Sequence, residues 1–208
     1  MANRPKIAII GNGNVGSALK QGATRAGYEA KAVGNEPAKV RELALWGDII
    51  VLAVPFGERF NALREMGKVD GKVLVDVSNA VGANGYEGSV EQSGAEELQD
   101  KAPALKVVKA FNTVFAVNMA KGEVKGEHLS LLAAGDDLPA KKQVMEFGAA
   151  LGFEPVDAGP LNNARWLEAL GFLNIQLGYT QKLGTDIGFR LVGAPAARRT
   201  ATAATQAR

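Results

Sequence analysis

The sequence predicts an α/β fold: a doubly wound, mostly parallel sheet followed by a C-terminal helical extension. Short apolar runs typical of buried parallel strands alternate with segments whose apolar residues recur every three or four positions, as in covering helices. After about residue 158 the helical spacing continues without further strands. Hydrophobic residues make up 47% of the 208 positions and charged residues 22%, which is typical of a globular unit.

Seven apolar runs predict seven strands, and the third ends at Pro55 because proline cannot donate to a strand ladder. The predicted strands span residues 6–10, 29–33, 49–54, 73–76, 106–110, 129–134 and 155–157. Helical spacing predicts helices over residues 15–26, 37–45 and 56–66, and a helical turn over residues 96–101. The glycine-rich segment at residues 82–94 predicts a loop.

A G-x-G-x-x-G motif at residues 11–16 lies between the first predicted strand and the first predicted helix, the context in which this motif binds a dinucleotide. Gly11 permits the tight turn, Gly13 lets the backbone approach a pyrophosphate, and Gly16 allows close packing of helix on strand. The helix N-terminus offers N–H groups to the phosphates. The motif predicts a Rossmann-type unit that binds a nicotinamide dinucleotide, with a glycine-rich turn that holds no ligand as the alternative.

The end of the second strand indicates which dinucleotide is bound. NAD-binding proteins place an acidic residue there, whereas this chain has Asn35, whose neutral amide does not repel a 2′-phosphate. Lys39 follows within one helical turn and is a candidate partner for that phosphate, although a solvated surface lysine is the alternative. Glu36 argues for NAD if it points inward. We expect NADP as the cofactor, with NAD the less favoured choice.

The C-terminal helix is predicted from residue 161 to about residue 183, with one apolar face. That face comprises Leu161, Ala164, Leu167, Leu170, Leu173 and Leu177. A second subunit is a candidate to cover it, so we expect a homodimer formed through this helix. We expect a dinucleotide-binding domain over residues 1–158, a helical region over residues 159–193 that completes the acceptor pocket, and a disordered tail over residues 194–208.

Composition excludes several classes of function. The chain has no cysteine and one histidine, His128, which excludes thiolate sites and makes a histidine metal cluster untenable, so we expect no metal. A net charge of +2 gives no indication of nucleic-acid binding. No apolar run reaches the length of a membrane span, and no signal-peptide pattern opens the sequence. We expect a cytoplasmic protein with neither a membrane nor a nucleic acid as partner.

Three further strings carry a family resemblance: DIIVLAVP at residues 48–55, VVKAFNT at residues 107–113 and PVDAGPLNNAR at residues 155–165. Together with the glycine motif, they make the chain resemble the NADPH-dependent coenzyme F420 reductase family over residues 6 to about 192. It is also similar to the cytosolic reductase domain of six-transmembrane metalloreductases, which pairs NADPH with a flavin. The resemblance implies hydride transfer between NADP(H) and a small-molecule redox acceptor, either a deazaflavin (coenzyme F420) or a flavin.

The resemblance also implies which residues hold the cofactor. The motif before the first helix and the end of the second strand would hold the pyrophosphate and the adenosine phosphate. The segment after the third strand would lie along the cofactor, and the end of the fourth strand would lie near the nicotinamide. The implied cofactor-binding residues are Gly11, Asn12, Gly13, Asn14, Val15, Gly16, Asn35, Lys39, Ala53, Val54, Pro55, Phe56, Phe60, Asn79 and Ala80. Members that use a deazaflavin usually end the second strand with Ser or Thr and then Arg, where this chain has Asn35 and Glu36.

A pocket for the acceptor ring is expected beyond the carboxyl ends of the strands, at the point where the strand order reverses. Its expected walls are Phe111, Asn112 and Thr113 after the fifth strand, and Pro160 and Leu161 after the seventh. Core packing is the alternative for Phe111, and a turn or helix cap is the alternative for Asn112. Arg165 is a candidate either for an anionic part of the acceptor or for an ion pair with Glu168.

The sequence leaves two other functions open. A dehydrogenase or imine reductase acting on a small molecule needs a positioned acid or base, for which His128 and the Tyr179–Lys182 pair are the candidates. His128 lies in a polar stretch, and the pair is consistent with packing and exposure on the last helix. Hydride exchange between two cofactors needs no such group, so we expect no catalytic side chain. A dinucleotide-binding module without turnover is the other alternative.

Overall fold

In a computed structural model that describes residues 4–83 and 85–193, seven strands form one sheet. They are β1 (Ile7–Ile10), β2 (Ala30–Val33), β3 (Ile49–Leu52), β4 (Val73–Asp76), β5 (Lys106–Lys109), β6 (Ser130–Gly135) and β7 (Glu154–Asp157). The order across the sheet is β2-β1-β3-β4-β5-β6-β7. The first five strands are parallel, β6 is antiparallel to β5, and β7 is parallel to β6. The expected mostly parallel, Rossmann-type sheet is confirmed.

Six helices of eight residues or more cover both faces of the sheet in the described part of the chain. They are α1 (Asn14–Arg25), α2 (Pro37–Trp46), α3 (Arg59–Met66), α4 (Gly94–Lys101), α5 (Leu138–Leu151) and α6 (Ala164–Ile175). None of the helices in residues 4–83 and 85–193 is both long and apolar enough to cross a membrane. The tail at residues 194–208, expected to be disordered, lies outside the described residues.

The two faces of the sheet are buried in two separate apolar layers because successive side chains of a strand point to opposite sides. On one face, Ile7 and Ile9 of β1 pack with residues of α1 and α5. On the other, Ala8 and Ile10 pack with residues of α2, α3 and α4. The central strands β1 and β3 are therefore apolar at every position, as a sheet covered on both sides requires.

Short elements complete the chain. A two-stranded hairpin joins Val81–Gly82 to Gly85–Tyr86 inside the segment expected to be a loop. A second hairpin joins Glu123–Val124 to Glu127–His128. Helix α5 has no counterpart among the predicted elements. It begins after Asp137, whose carboxylate accepts a hydrogen bond from the N–H of Ala140 at 2.9 Å.

The C-terminal helix differs from its expected form in length and in its buried face. It begins as a 3₁₀ turn at Leu161–Asn163, continues as α6 and ends in a π-helical turn at Gln176–Thr180. Its buried residues include Glu168, Gly171 and Asn174, whereas Leu173 is 49% exposed. Of the expected apolar face, Leu161, Ala164 and Leu167 are buried within the chain, whereas Leu173 is exposed, because the buried side of the later turns packs against polar atoms at the end of the sheet.

Candidate functional site

The loop at residues 11–16 lies at the carboxyl end of β1, and its three glycines differ in surroundings. Gly11 has φ +111°, and a Cβ there would lie 2.1 Å from the carbonyl oxygen of Ala53. A Cβ on Gly16 would lie 1.9 Å from the carbonyl oxygen of Gly11. A Cβ on Gly13 would meet no atom of the described chain within 4 Å. The fold itself therefore requires Gly11 and Gly16, whereas the open space at Gly13 fits a ligand that approaches the backbone.

The N-terminus of α1 faces the same space. Within the described residues, no side chain caps this helix, and its first turn carries no acidic residue. The loop is braced by Ser17, whose hydroxyl donates to the carbonyl of Asn12 at 3.0 Å. The side chain of Asn12 lies over Gly34, so it links the loop to the end of β2. Exposed Asn12, Gly13 and Asn14 and half-buried Val15 form an edge suited to a pyrophosphate.

Lys39, the candidate partner of the 2′-phosphate, is paired with Glu36. The two charged atoms lie 2.5 Å apart, and both side chains are largely exposed. The hydrogen bond and the charge of Glu36 raise the pKa of Lys39. Asn35 is exposed beside them. An exposed ion pair of this kind is weak, so Lys39 can exchange Glu36 for a phosphate at little cost.

The segment after β3 carries the next implied cofactor residues. Ala53 and Val54 are partly buried and Pro55 is exposed. The ring of Phe56 lies 3.3 Å from the guanidinium of Arg59, which is itself buried and donates to the carbonyl of Phe56 at 2.6 Å.

Phe60 is 38% exposed and lines a groove between the ends of α3 and α4, together with Leu63, Val69 and Pro103. Phe56 therefore packs on Arg59 in the turn that follows β3, whereas Phe60 faces a separate groove.

Two asparagines join the carboxyl ends of β4 and β5. The Asn79 amide donates to the carbonyl of Asn112 at 2.9 Å, and the Asn112 amide donates to the Asn79 side chain at 3.1 Å. The Asn112 amide also donates to the carbonyl of Leu167 at 2.7 Å. Because a carbonyl can only accept, this last bond fixes the orientation of the Asn112 amide. Ala80, the next implied residue, is fully buried.

Phe111 points into the core. Its φ is +64°, and its fully buried ring packs edge-on against Phe147 and Phe153, with ring centroids 5.8 and 5.7 Å apart. The alternative of core packing is therefore the one that the structure supports. Thr113 is buried, and its carbonyl accepts from the Asn174 amide of α6 at 3.1 Å.

Pro160 and Leu161 lie at the opposite edge of the sheet from Asn79 and Asn112. Because β6 is antiparallel to β5 and β7 is parallel to β6, β7 runs toward the edge at which β1 to β5 begin, and Pro160 and Leu161 follow it in that direction. Leu161 is buried in the layer that contains α4, and its N–H donates to Asp136 at 2.8 Å. The expectation that these two residues form a pocket wall assumed that β7 runs parallel to the first five strands, which it does not.

Helix α6 instead returns to the carboxyl edge and contacts the asparagine pair. A Cβ on Gly171 would lie 2.2 Å from the Asn79 side-chain oxygen and 2.7 Å from the Asn112 amide nitrogen, so only a glycine lets the helix come this close.

One residue later, Phe172 packs against Tyr86 of the hairpin after β4, with ring centroids 5.1 Å apart. Burial raises the pKa of Tyr86, and the charge of Glu168 raises it further.

A buried ion cluster, formed by Asp76, Lys109 and Glu168, lies behind the pair. All three side chains are fully buried. The Lys109 ammonium lies 2.8 Å from Asp76 and 3.1 Å from Glu168, and donates to the carbonyl of Ser78 at 2.7 Å. The second Glu168 oxygen accepts from the N–H of Gly94 at 3.1 Å. Burial alone would raise the pKa of Asp76, but the charge of Lys109 and the hydrogen bonds from Lys109 and Ser78 together lower it.

Sequence reasoning missed this cluster, although the signal was present: the apolar strand β4 ends in a charged residue, Asp76, and the neighbouring β5 ends in another, Lys109. An ionised side chain in a doubly covered strand needs a buried partner.

The acid–base candidates from the sequence lie elsewhere. His128 is exposed, with its ring bonded to the carbonyl of Gly152, and Tyr179 is 66% exposed. Arg165 pairs with Glu96 at 2.6 Å and not with Glu168.

Comparisons with known proteins agree with this geometry. Residues 6–80 match the family described as NADP oxidoreductase, coenzyme F420-dependent. The rat metalloreductase STEAP3 is 31% identical over 179 residues, which cover 80% of this chain and 36% of that protein. The chain thus spans about a third of the length of this curated relative.

Two solved structures share the fold. A candidate F420-dependent NADP reductase from Arthrobacter sp. FB24 has a TM-score of 0.82 at 24% identity, covering 90% of this chain and 99% of that one. A hypothetical protein from Sinorhizobium meliloti is 30% identical with a TM-score of 0.66, covering 76% of this chain and 87% of that one. With its nucleotide loop at the carboxyl edge of a mostly parallel sheet, the chain carries over residues 6–80 the sequence signature of the coenzyme F420-dependent NADP oxidoreductase family.

Proposed function

We propose that this chain binds NADPH along the carboxyl edge of β1 to β5 and passes its hydride to a deazaflavin of the F420 type, or to a flavin, bound beside Asn79 and Asn112. The observation that carries the proposal is the open space at Gly13, before the uncapped start of α1, on the same sheet edge as the asparagine pair. The family match and the names of the relatives support the same chemistry.

The residues present fit a dinucleotide. The N–H groups at the start of α1 would bind the pyrophosphate, and Asn35 and Lys39 would face the adenosine phosphate, which favours NADPH over NADH. When bound, NADPH supplies a hydride from its nicotinamide ring. The chain's own contribution is to hold that ring at the Asn79–Asn112 pair and to exclude water from it.

The charged groups behind the pair favour a ring-shaped acceptor over a small carbonyl. The buried ion cluster is next to the asparagine pair, because Lys109 bonds the residue before Asn79 and Glu168 follows the residue that Asn112 bonds. Its three side chains are fully buried and ion-paired with one another. The factors that lower the pKa of Asp76 keep it ionised, so it has no proton to give, and the Lys109 ammonium is buried against Asp76, Glu168 and the Ser78 carbonyl. A deazaflavin or flavin takes the hydride charge into its own ring system, so it needs position more than a protein acid.

The test is stopped-flow oxidation of NADPH by a panel of acceptors: F420, FMN, FAD, ferric chelates, small carbonyls and cyclic imines. We expect rapid oxidation with F420 or a flavin, and slower oxidation when NADH replaces NADPH. Turnover restricted to carbonyls or imines would replace this proposal with a dehydrogenase or imine reductase. NADPH binding without oxidation by any acceptor would indicate a binding module.

A further inference from the structure

We infer that the buried Asp76–Lys109–Glu168 cluster positions the nicotinamide ring, with Glu168 as the positioning residue that acts through α6 on the Asn79–Asn112 pair. The inference rests on the proposed function, since it concerns the ring that the pair is proposed to hold. It adds a role for three residues that contact no expected ligand directly.

Two carboxylates and one ammonium are removed entirely from water in this cluster. Desolvation of such charges largely cancels their attraction, and apolar residues of similar size often serve stability equally well. Stability alone is therefore a poor reason for the cluster, whereas fixed directional bonds are a good reason wherever a backbone must be held in one place.

The Lys109 ammonium bonds the carbonyl of Ser78, the residue before Asn79. Glu168 follows Leu167, whose carbonyl accepts the Asn112 amide, and precedes Gly171 by three positions. The cluster therefore ties together the strand ends that carry both asparagines and the helical turn that presses on them. A shift of α6 at Glu168 would be transmitted directly to the pair.

Glu168 also contacts the start of α4. The second oxygen of Glu168 accepts the N–H of Gly94, and a Cβ on Gly94 would lie 2.0 Å from a guanidinium nitrogen of Arg59. Glu168 thus anchors α6 to α4 as well as to β5. One oxygen of Glu168 accepts this hydrogen bond, and the other lies 3.1 Å from the Lys109 ammonium as a charge contact without a hydrogen bond among the described residues.

Glu168→Gln is the informative variant. It leaves the Lys109–Asp76 pair intact and leaves no charge unpaired, and the new amide oxygen can still accept the Gly94 N–H, which turns the amide NH2 toward the Lys109 ammonium, itself a donor. The charged contact to Lys109 is lost. Arg165→Met is the matched control, because it breaks another ion pair between α6 and α4, 2.6 Å long, that contacts neither asparagine.

Two measurements separate positioning from general loosening. One is the fluorescence lifetime of bound NADPH, which reports how rigidly the nicotinamide is held and needs no acceptor. The other is the single-turnover hydride-transfer rate with the best acceptor found. For Glu168→Gln we expect a shorter lifetime, a rate lower by about 10- to 100-fold, and an NADPH Kd within about threefold of the wild type, because misplacement near 1 Å costs up to about 10²-fold. For Arg165→Met we expect wild-type values.

The inference is overturned if Glu168→Gln matches the wild type in both measurements, or if Arg165→Met lowers both equally. Should Glu168→Gln fail to fold, Glu168→Asp takes its place, since it keeps the charge and moves the carboxylate by one methylene. If the wild type binds NADPH but reduces no acceptor, the acceptor assignment fails, while the lifetime comparison still decides this inference. If the wild type binds no NADPH, both fail.

Discussion

At the residue scale, one amino-acid type has two physical roles in the nucleotide loop. Gly11 and Gly16 are required by the protein itself, since a Cβ at either would overlap backbone atoms. Gly13 has φ −70° and open space around its Cβ position, so the fold tolerates a larger residue there. The loop therefore offers variants that separate folding from ligand binding.

Gly13→Val should abolish NADPH binding and leave the fold unchanged, because the branched side chain would fill the space that the pyrophosphate needs. NADPH titration and thermal unfolding of the same preparation check this. Gly11→Ala is the contrasting variant and should lower stability, because its Cβ would lie 2.1 Å from a backbone oxygen. A folded Gly13→Val protein with wild-type NADPH affinity would refute the assignment of the loop.

Cofactor choice is also decided by single residues. Lys39→Ala should weaken NADPH by about tenfold or more and NADH much less, since one charged contact to the phosphate is lost. Glu36→Gln should strengthen NADPH binding and leave NADH binding nearly unchanged, because Glu36 competes with the phosphate for Lys39. Titrations of both dinucleotides against both variants give the comparison. Tighter binding of NADH than NADPH by the wild type would contradict the prediction.

At the element scale, the contact between α6 and the sheet edge depends on Gly171. Gly171→Ala places a methyl group 2.2 Å from the Asn79 side-chain oxygen. We expect a loss of about 1–3 kcal/mol in unfolding free energy and slower hydride transfer, because the helix and the asparagine pair must separate. Ala169→Gly, on the exposed side of the same helix, should cost about 1 kcal/mol and leave the rate unchanged. Equal rates in the two variants would refute the role given to this contact.

The Arg165–Glu96 pair between α6 and α4 predicts a pH dependence of stability. Hydrogen bonding from Arg165 lowers the pKa of Glu96 from 4.5 to about 2, although partial burial opposes the shift. A carboxyl whose folded-state pKa is depressed stabilises the fold above its unfolded pKa and loses that contribution as the pH falls. The stability difference between the wild type and Glu96→Gln should be constant above about pH 4.5 and vanish toward pH 2. Urea unfolding across this range tests it, and a pH-independent difference would contradict it.

At the scale of the whole molecule, the homodimer expected from the sequence stays a prediction. Trp166 and Leu173 of α6 are 59% and 49% exposed. We expect sedimentation to give the mass of two chains, and Trp166→Asp with Leu173→Asp to give that of one, because burial of apolar surface drives such association. Leu138→Asp is the control, since Leu138 is also exposed but lies at the start of α5. A monomeric wild type would end this proposal.

Local pattern was enough to predict the sheet, the nucleotide loop and the first strands and helices. Each of these depends on residues close together in the chain: the apolar runs of β1 and β3, and the glycines at residues 11–16 between a strand and a helix. The positions of Asn79 and Asn112 at strand ends could also be inferred, because the carboxyl ends of parallel strands meet at one edge.

The direction of β6 and β7, the face that α6 buries and the partners of Asp76 and Lys109 were decided by tertiary structure alone. The apolar pattern of a strand does not indicate whether the strand is parallel or antiparallel to its neighbour. The antiparallel pairing of β6 with β5 therefore could not be predicted, and this pairing places Pro160 and Leu161 away from the expected pocket. Likewise, helical spacing cannot show that one side of α6 meets polar strand ends. Glu168 lies 59 positions after Lys109 in the chain, and only the packing of helix on sheet brings the two charges together.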